Sequence, residues 1–465
     1  MRVLHGSASA FIAGTERIQA GYIRALTLEG MHSELFVYRP GPSLEDLRRV
    51  CPVHLRGKAE LGELARAAGF DLVHLTANCL ELGAVQHLAR AGYRGPLVVS
   101  SHELFTGIVS SRNTSVLTVV SEWLADTVRP FSDVEPVVVY NGIDLARFTP
   151  RGGEEAPPRP VVAWVGCTED PRKAFSDFMQ VAASPALRGY EVWVAEAEGT
   201  AEESALSQAC GLAVKVWHEV PHETMPSFYR SVGRSGGCIV STSRFESAGL
   251  ALLEALACGC PVVGPRAGGI PEMMGGGRWG ALYEPGTSPH EVATLVRRLR
   301  DGSERATYLD RAASELPDTF SIQVMVARLL RVYAMAAERP VTPRLGELDR
   351  GAVRRWHIHW GRWVHSIAPT PTGRVSVFGI PSWLLRTVAV SGAKAILARV
   401  RRREEDWVRA ARPLWLGVGK ALGCVHDWRR SRSSAGATGR AAERGGDART
   451  ADDPVGPSPS VELVE

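Results

Sequence analysis

Short apolar runs alternate with amphipathic stretches through the first 340 residues, and that rhythm predicts strands and helices in turn. RVLHGS (2–7) reads as a strand that enters a small-residue loop ending at Ala13-Gly14, and TERIQAGYIRALTLEG (15–30) follows as a helix closed by Gly30. Further strands are expected at 33–38, 71–75, 96–102, 116–121 and 135–144. TPRGGEEAPPRPV (149–161) then breaks the rhythm with Gly, Pro and charge, the composition of a linker. The alternation restarts with apolar runs at 161–166, 191–196, 213–220, 237–243 and 261–264, and a helical pattern over 321–339 closes it. Strands that alternate with helices build parallel sheets. The expected fold is therefore α/β, with two facing, doubly wound Rossmann-like domains and a cleft between them. The first domain is expected at 1–148, the linker at 149–160 and the second domain at 161–320, with a closing helix at 321–338.

Length supports two domains, since 465 residues are too many for a single core. A composition of 45% hydrophobic and 22% charged residues is ordinary for a globular chain. No run approaches the ~20 apolar residues of a membrane span, and MRVLHGSASAFIAG lacks the basic-then-apolar order of a secretory leader. The eight cysteines contain no Cys-x-x-Cys, which points to reduced thiols, no zinc site and a cytoplasmic setting.

Charge changes the picture at one end. Residues 351–440 carry seventeen Lys and Arg against four Asp and Glu, a net +13, so the rest of the chain stands at −9 within the overall +4. VRRWHIHWGRW (353–363) and ARVRRREEDWVRAARPLW (398–415) interleave indoles with cations, and helical patterns fall at 382–400 and 403–421. This extension, 341–431, has two readings. It packs on the acidic body with its Arg stems over apolar surface, or it associates peripherally through 351–430 with an anionic membrane surface at the inner face. Nucleic acid is the less favoured partner. Residues 432–465 are low-complexity and expected to be disordered.

Ligands of open α/β sheets bind beyond the carboxyl ends of the strands, so polar residues in those loops are the candidates. In RFESAGLALLEALACGCPVVG (244–264), Glu246 follows a strand, and Ser247 is placed to cap a helix beginning at Ala248. Small Ala248 and Gly249, with Leu250, leave the first amides of that helix open to a phosphate. Glu254 lies about six residues in, ~9 Å along the axis, which matches the span from sugar to ribose in a nucleotide sugar. The same spacing also fits two acids at the ends of a core helix. GCTEDPRKAF (166–175) offers Arg172 and Lys173 to a diphosphate, SSHELF (100–105) offers His102, and FIAGTERI (11–18) brings Gly14 close to a phosphate. The last lacks the G-x-G-x-x-G spacing and so argues against a dehydrogenase.

Taken in order, GTER, VVSSH, VSEWLADTV, VVVYNGIDLARFTP, WVGCTEDPRKAF, FESAGLALLEALACGCPVVG and GGIPEMM resemble the retaining glycosyltransferase family 4 of the GT-B fold, over about residues 1–338. The resemblance implies a hexosyltransferase-type enzyme of carbohydrate biosynthesis that moves a sugar from a nucleotide diphosphate sugar, its co-substrate, to an acceptor hydroxyl. Neither metal nor other cofactor is implied. Glu246 would face the transferred sugar, Glu254 the ribose, Lys173 the diphosphate and His102 the acceptor, while Gly14 would line the approach and the helix 321–338 would cross back to the first domain. One departure stands out: the family usually carries Gly-Arg where this chain has Gly166-Cys167, and a thiol supplies no positive charge. A catalytically impaired binding or regulatory subunit, or a sugar-nucleotide epimerase of the same fold, are the alternatives.

Overall fold

The apolar runs pair into two parallel sheets. The structure, a computed structural model, describes residues 1–10, 14–57, 60–103, 110–196 and 201–343. In the first sheet the strands are β1 (Arg2–Ser7), β2 (His32–Val37), β3 (Val53–Leu55), β4 (Leu72–Thr76), β5 (Leu97–Ser101), β6 (Val116–Val119) and β7 (Pro136–Val138), in the order β3-β2-β1-β4-β5-β6-β7. In the second they are β8 (Val161–Gly166), β9 (Glu191–Glu196), β10 (Val214–His218), β11 (Cys238–Val240), β12 (Val262–Pro265) and β13 (Ala281–Tyr283), in the order β10-β9-β8-β11-β12-β13. Every pairing is parallel. This is the α/β, Rossmann-like pair of domains expected from the alternation. β3 and β13 were not anticipated: each is a three-residue edge strand, too short to register as a period.

Strand order reverses between β1 and β4 in one sheet and between β8 and β11 in the other. Loops diverge at such a reversal and leave a crevice at the carboxyl ends. The described residues all fall within one compact unit, Met1–Leu385, so the two crevices can be related to each other.

The apolar faces explain the helices. Tyr22, Ile23 and Leu26 of the helix Gly14–Leu28 bury against Val3, Leu35, Val37 and Leu72. The helix Ile322–Ala337 adds Met325, Leu329, Val332, Tyr333 and Ala336 to that same first-sheet cluster, positions three or four apart that form one stripe. The chain thus returns to the first sheet after completing the second. Two isolated bridges mark the return, Ile143 with Ser321 and Gly95 with Val341.

Buried polar groups pin this helix. Tyr333 Oη lies 2.8 Å from His74 Nδ1, His74 Nε2 lies 2.6 Å from Ser100 Oγ, and Ser100 Oγ lies 2.6 Å from Thr118 Oγ1. Burial disfavours the charged imidazolium, holding His74 well below the usual histidine range and His5 down at about 3.

Residues 149–160 hold no helix or strand. They are tied to the helix Met225–Arg234 instead: Arg230 Nε donates to Glu154 Oε2 at 2.8 Å and Arg234 Nη2 to the Gly152 carbonyl at 2.6 Å. The Arg230 guanidinium lowers the Glu154 carboxyl to about 2.

Among the described residues no helix is long and apolar enough to cross a membrane. The expected helices at 382–400 and 403–421, the membrane-facing segment 351–430 and the tail 432–465 lie outside the described residues.

Candidate active site

Two loops at the β8/β11 reversal build the site. After β8 the chain turns through residues 167–174 and places Ala174 at φ 47°, a left-handed conformation at the start of the helix Phe175–Ala182. Such a conformation costs a residue with a Cβ about 1–2 kcal/mol. The Thr242 hydroxyl offsets that cost from the loop after β11, lying 3.0 Å from the carbonyl oxygens of both Lys173 and Ala174. Lys173 is thereby held toward Glu246, and its Nζ donates to Oε1 at 2.5 Å. The Ser243 hydroxyl donates to the same oxygen at 2.8 Å. Lys173, Ser243, Glu246, Gly249 and Leu250 line one cavity open to solvent, with Trp164 also in its wall.

The helix beyond Glu246 starts later than the sequence suggested. It runs Leu250–Ala257 with Gly249 as its N-cap at φ 50°, and no side chain caps it, Ser247 included. Only a glycine adopts that conformation without strain. The shift leaves the helix terminus facing the cavity with its amides uncovered by any side chain. Ala248, one residue before the cap, is buried. Gly14 arrives from the first domain, where a Cβ on it would lie 3.8 Å from Leu250 Cδ1. The first residue of a first-domain helix thus comes beside Leu250, the first residue of the helix that lines this cavity.

The other candidates are placed differently. Arg172 makes a paired contact with Asp170: Nε donates at 3.0 Å to each carboxylate oxygen, and Nη2 donates to Oδ2 at 2.7 Å. Asp170 thus partners it within its own loop, with Glu103 and Glu246 also acting on its charge, an arrangement the sequence did not reveal. Cys167, nearby, is partly exposed and free of disulfide. Glu254 lies deeper along the helix, where His222 Nε2 is 2.9 Å from Oε1 and the Tyr229 hydroxyl donates to Oε2 at 3.0 Å. Tyr229 is completely buried. His222 and Tyr229 were not among the residues expected from the sequence; the helix Met225–Arg234 and the loop before it bring them to Glu254 only in the folded chain.

His102 follows β5 on the first domain, outside the residues that line the cavity. Both imidazole nitrogens are shielded from solvent, with the Asn141 side chain as the polar group beside the ring among the described residues. Burial pushes its pKa down to about 4, with Asn141 opposing the shift, so the ring is neutral at pH 7. Glu16, at this end of the first sheet, was not foreseen: it is buried, with Ser9 Oγ donating to Oε1 at 3.0 Å and Oε2 without a partner among the described residues. Burial raises its carboxyl above the usual range. Among the described residues no cluster of three or more His, Cys, Asp or Glu has the arrangement to hold a metal.

Comparison with known proteins converges on this picture. Residues 12–147 match the model for Glycosyltransferase Family 4, and residues 171–316 match that for Glycosyl transferases group 1. A D-inositol 3-phosphate glycosyltransferase of Mycolicibacterium paratuberculosis is 30% identical over 222 residues, covering 45% of this chain and 49% of that protein. A phosphatidyl-myo-inositol mannosyltransferase of Propionibacterium freudenreichii is 29% identical over 247 residues, 50% of this chain and 59% of that one. The chain thus spans about half the length of the curated relatives it matches. Among solved structures, Anabaena HepE in complex with UDP-glucose superposes with a TM-score of 0.59 at 18% identity, over 72% of this chain and 99% of that one. The two family models fall on either side of the linker, the second taking in Lys173 and the Glu246 loop, and the chain belongs to the family 4 glycosyltransferases of the GT-B fold.

Proposed function

We propose that the chain transfers a sugar from a nucleotide diphosphate sugar to an acceptor hydroxyl, with retention at the anomeric carbon and without a metal ion. The observation that carries the reading is the Lys173–Glu246 pair beside an uncapped helix terminus at the β8/β11 reversal. Across the cavity the two side chains neutralise each other. A diphosphate at the helix terminus would draw Lys173 to itself and release Glu246 to the hydroxyls of the sugar.

As the bond from the anomeric carbon to the diphosphate breaks, negative charge grows on the departing oxygen. Lys173 and the terminal amides of Leu250–Ala257 are placed to stabilise it in the transition state, more than in the ground state. The acceptor oxygen then attacks from the face the diphosphate leaves, and its proton passes to the departing phosphate oxygen. Glu254, fixed by His222 and Tyr229, takes the ribose end. His102, neutral at pH 7, takes an acceptor-side hydroxyl. UDP-glucose bound to a protein of the same fold, and relatives named for transfer to inositol phosphate or phosphatidyl-inositol acceptors, support a nucleotide sugar as donor and a polyol as the class of acceptor.

Cys167 brings no charge, and Arg172 is engaged by Asp170, so this scheme makes Lys173 the principal side-chain cation at the diphosphate. The test is sugar transfer, or nucleotide release, by the purified chain with UDP-, GDP-, ADP- and TDP-sugars. Lys173→Ala and Glu246→Ala should each lower the rate by at least ~100-fold, the scale of one lost preorganised stabiliser. Dialysis against EDTA should leave it unchanged. Full activity in either variant would overturn the site, and loss to EDTA restored by Mg²⁺ would overturn the metal-free scheme. Binding of the nucleotide with no release from any donor would favour the regulatory reading that Cys167 suggests.

A further inference from the structure

The helix Glu122–Val128 belongs to the first domain, and its free amides can be accounted for one by one. Ser121 Oγ accepts from Leu124 N at 3.1 Å, an ordinary cap. The two preceding amides, of Glu122 and Trp123, donate to Glu272 Oε2 and Oε1, each at 2.8 Å. Glu272 comes from the second domain, in the short helix Ile270–Met273 after β12. The Tyr140 hydroxyl, again from the first domain, donates to Oε2 at 3.1 Å. One carboxylate therefore takes three donors from the other domain at a helix end whose dipole favours negative charge.

The segment leading to Glu272 also holds the sugar-facing glutamate. Gly269 N donates to the Glu246 carbonyl at 2.7 Å. A Cβ on Gly268 would come within 2.4 Å of that carbonyl oxygen, and one on Gly269 would meet the Ser247 carbonyl at 2.4 Å and Ser121 Oγ at 3.2 Å. Phe245, the neighbour of Glu246, packs on Trp123 with the ring centroids 6.0 Å apart and the planes tilted by 33°. Residues 268–272 thus form a strap with the Glu246 loop at one end and the first domain at the other.

We propose that Glu272 is a positioning residue: by capping the first-domain helix Glu122–Val128 it clamps the two domains together and fixes the Glu246 loop against the acceptor-bearing domain. It touches no reacting atom. Only the kinetic consequence rests on the transfer reading; the clamp itself does not.

The test uses the full chain with Glu272→Gln, which keeps the size of the side chain and weakens its acceptors, and Tyr140→Phe, which removes one donor and spares the amides. Hydrogen exchange without substrate is the first readout. In Glu272→Gln the amides of Glu122, Trp123 and Gly269 should exchange at least ~10-fold faster, the scale of a lost charge-assisted hydrogen bond, with amides of Ile322–Ala337 unchanged. Tyr140→Phe should show a smaller change at the same amides. UDP affinity by calorimetry should stay within about threefold, because the proposed nucleotide contacts lie in the second domain, while turnover with a competent donor falls at least ~10-fold. Unchanged exchange at Glu122 and Trp123 would overturn the clamp. Faster exchange at those two with Gly269 unaffected, or with turnover intact, would overturn its role in positioning Glu246. Absence of transfer by the unaltered chain would count against the proposed function, and the exchange results would still decide the clamp.

Discussion

At the scale of single residues, the site depends on which charges neutralise which. Glu254 shows this most clearly, because both of its oxygens are already engaged, one by His222 and one by Tyr229. A carboxylate held from behind on two sides has its remaining lone pairs aimed in a fixed direction, which is what recognition of a vicinal diol requires. Tyr229→Phe removes one restraint without opening a cavity. It should weaken UDP binding by about 3- to 10-fold, the scale of one hydrogen bond, with little change in turnover at saturating donor. Glu254→Gln should weaken it further. Calorimetric titration with UDP checks both, and a Tyr229→Phe protein that binds UDP as tightly as the original would remove Tyr229 from the site.

Glu246, Lys173 and Glu254 could be singled out in the sequence as candidates because they lie in or beyond loops that follow apolar runs, and the family resemblance supplied the roles expected of them. Their partners could not. His222, Tyr229, Asp170 and Glu272 lie on other loops or helices, and only the folded sheet brings them close. The pairing of Arg172 with Asp170, two residues away, was local yet still hidden, since side-chain direction in a loop follows from backbone angles that composition does not report.

At the scale of elements, most strands were readable as apolar runs, and β3 and β13 were not, because a histidine interrupts VHL and because Gly280 and Glu284 bound ALY at three residues. The helix Ile322–Ala337 was visible as an apolar stripe, but its tie to the first sheet came from a buried histidine. The Tyr333 hydroxyl, His74, Ser100 and Thr118 form a chain in which each polar group has a partner. Such a chain is valuable only while complete, since an orphaned buried group costs ~1–3 kcal/mol. Tyr333→Phe takes away the partner of His74 Nδ1 and should lower stability by about that amount, with the largest increase in hydrogen exchange over Ile322–Ala337. Denaturant unfolding gives the total. Equal exchange in this helix before and after the substitution would mean that packing alone holds it.

At the scale of the whole molecule, the two domains respond differently to acid. Among the described residues the buried histidines, His5 and His74, both lie in the first sheet, and His102 follows one of its strands. Their folded pKa values are depressed from 6.5, to about 3 for His5 and about 4 for His102, in each case by burial. In the unfolded chain the same groups take up protons near pH 6.5, so between that pH and about 4 the unfolded state binds more protons than the native one. Stability therefore stands in full above about pH 6.5 and is lost as the pH falls toward 4 and then 3. The Glu154–Arg230 tie adds a later loss, from the ordinary carboxylate range down toward pH 2. Calorimetry between pH 7 and 5 should show the thermal midpoint falling, with exchange, corrected for its intrinsic pH dependence, rising first in β1 and β4. Because the Glu272 cap joins the domains, the intact chain should melt in a single step over this range. With Glu272→Gln the acid-weakened first domain should separate as an earlier transition at pH 5 and merge with the second at pH 7. A single transition at both pH values in that variant would show that the domains are held by other contacts, and that acid weakens the molecule as one body.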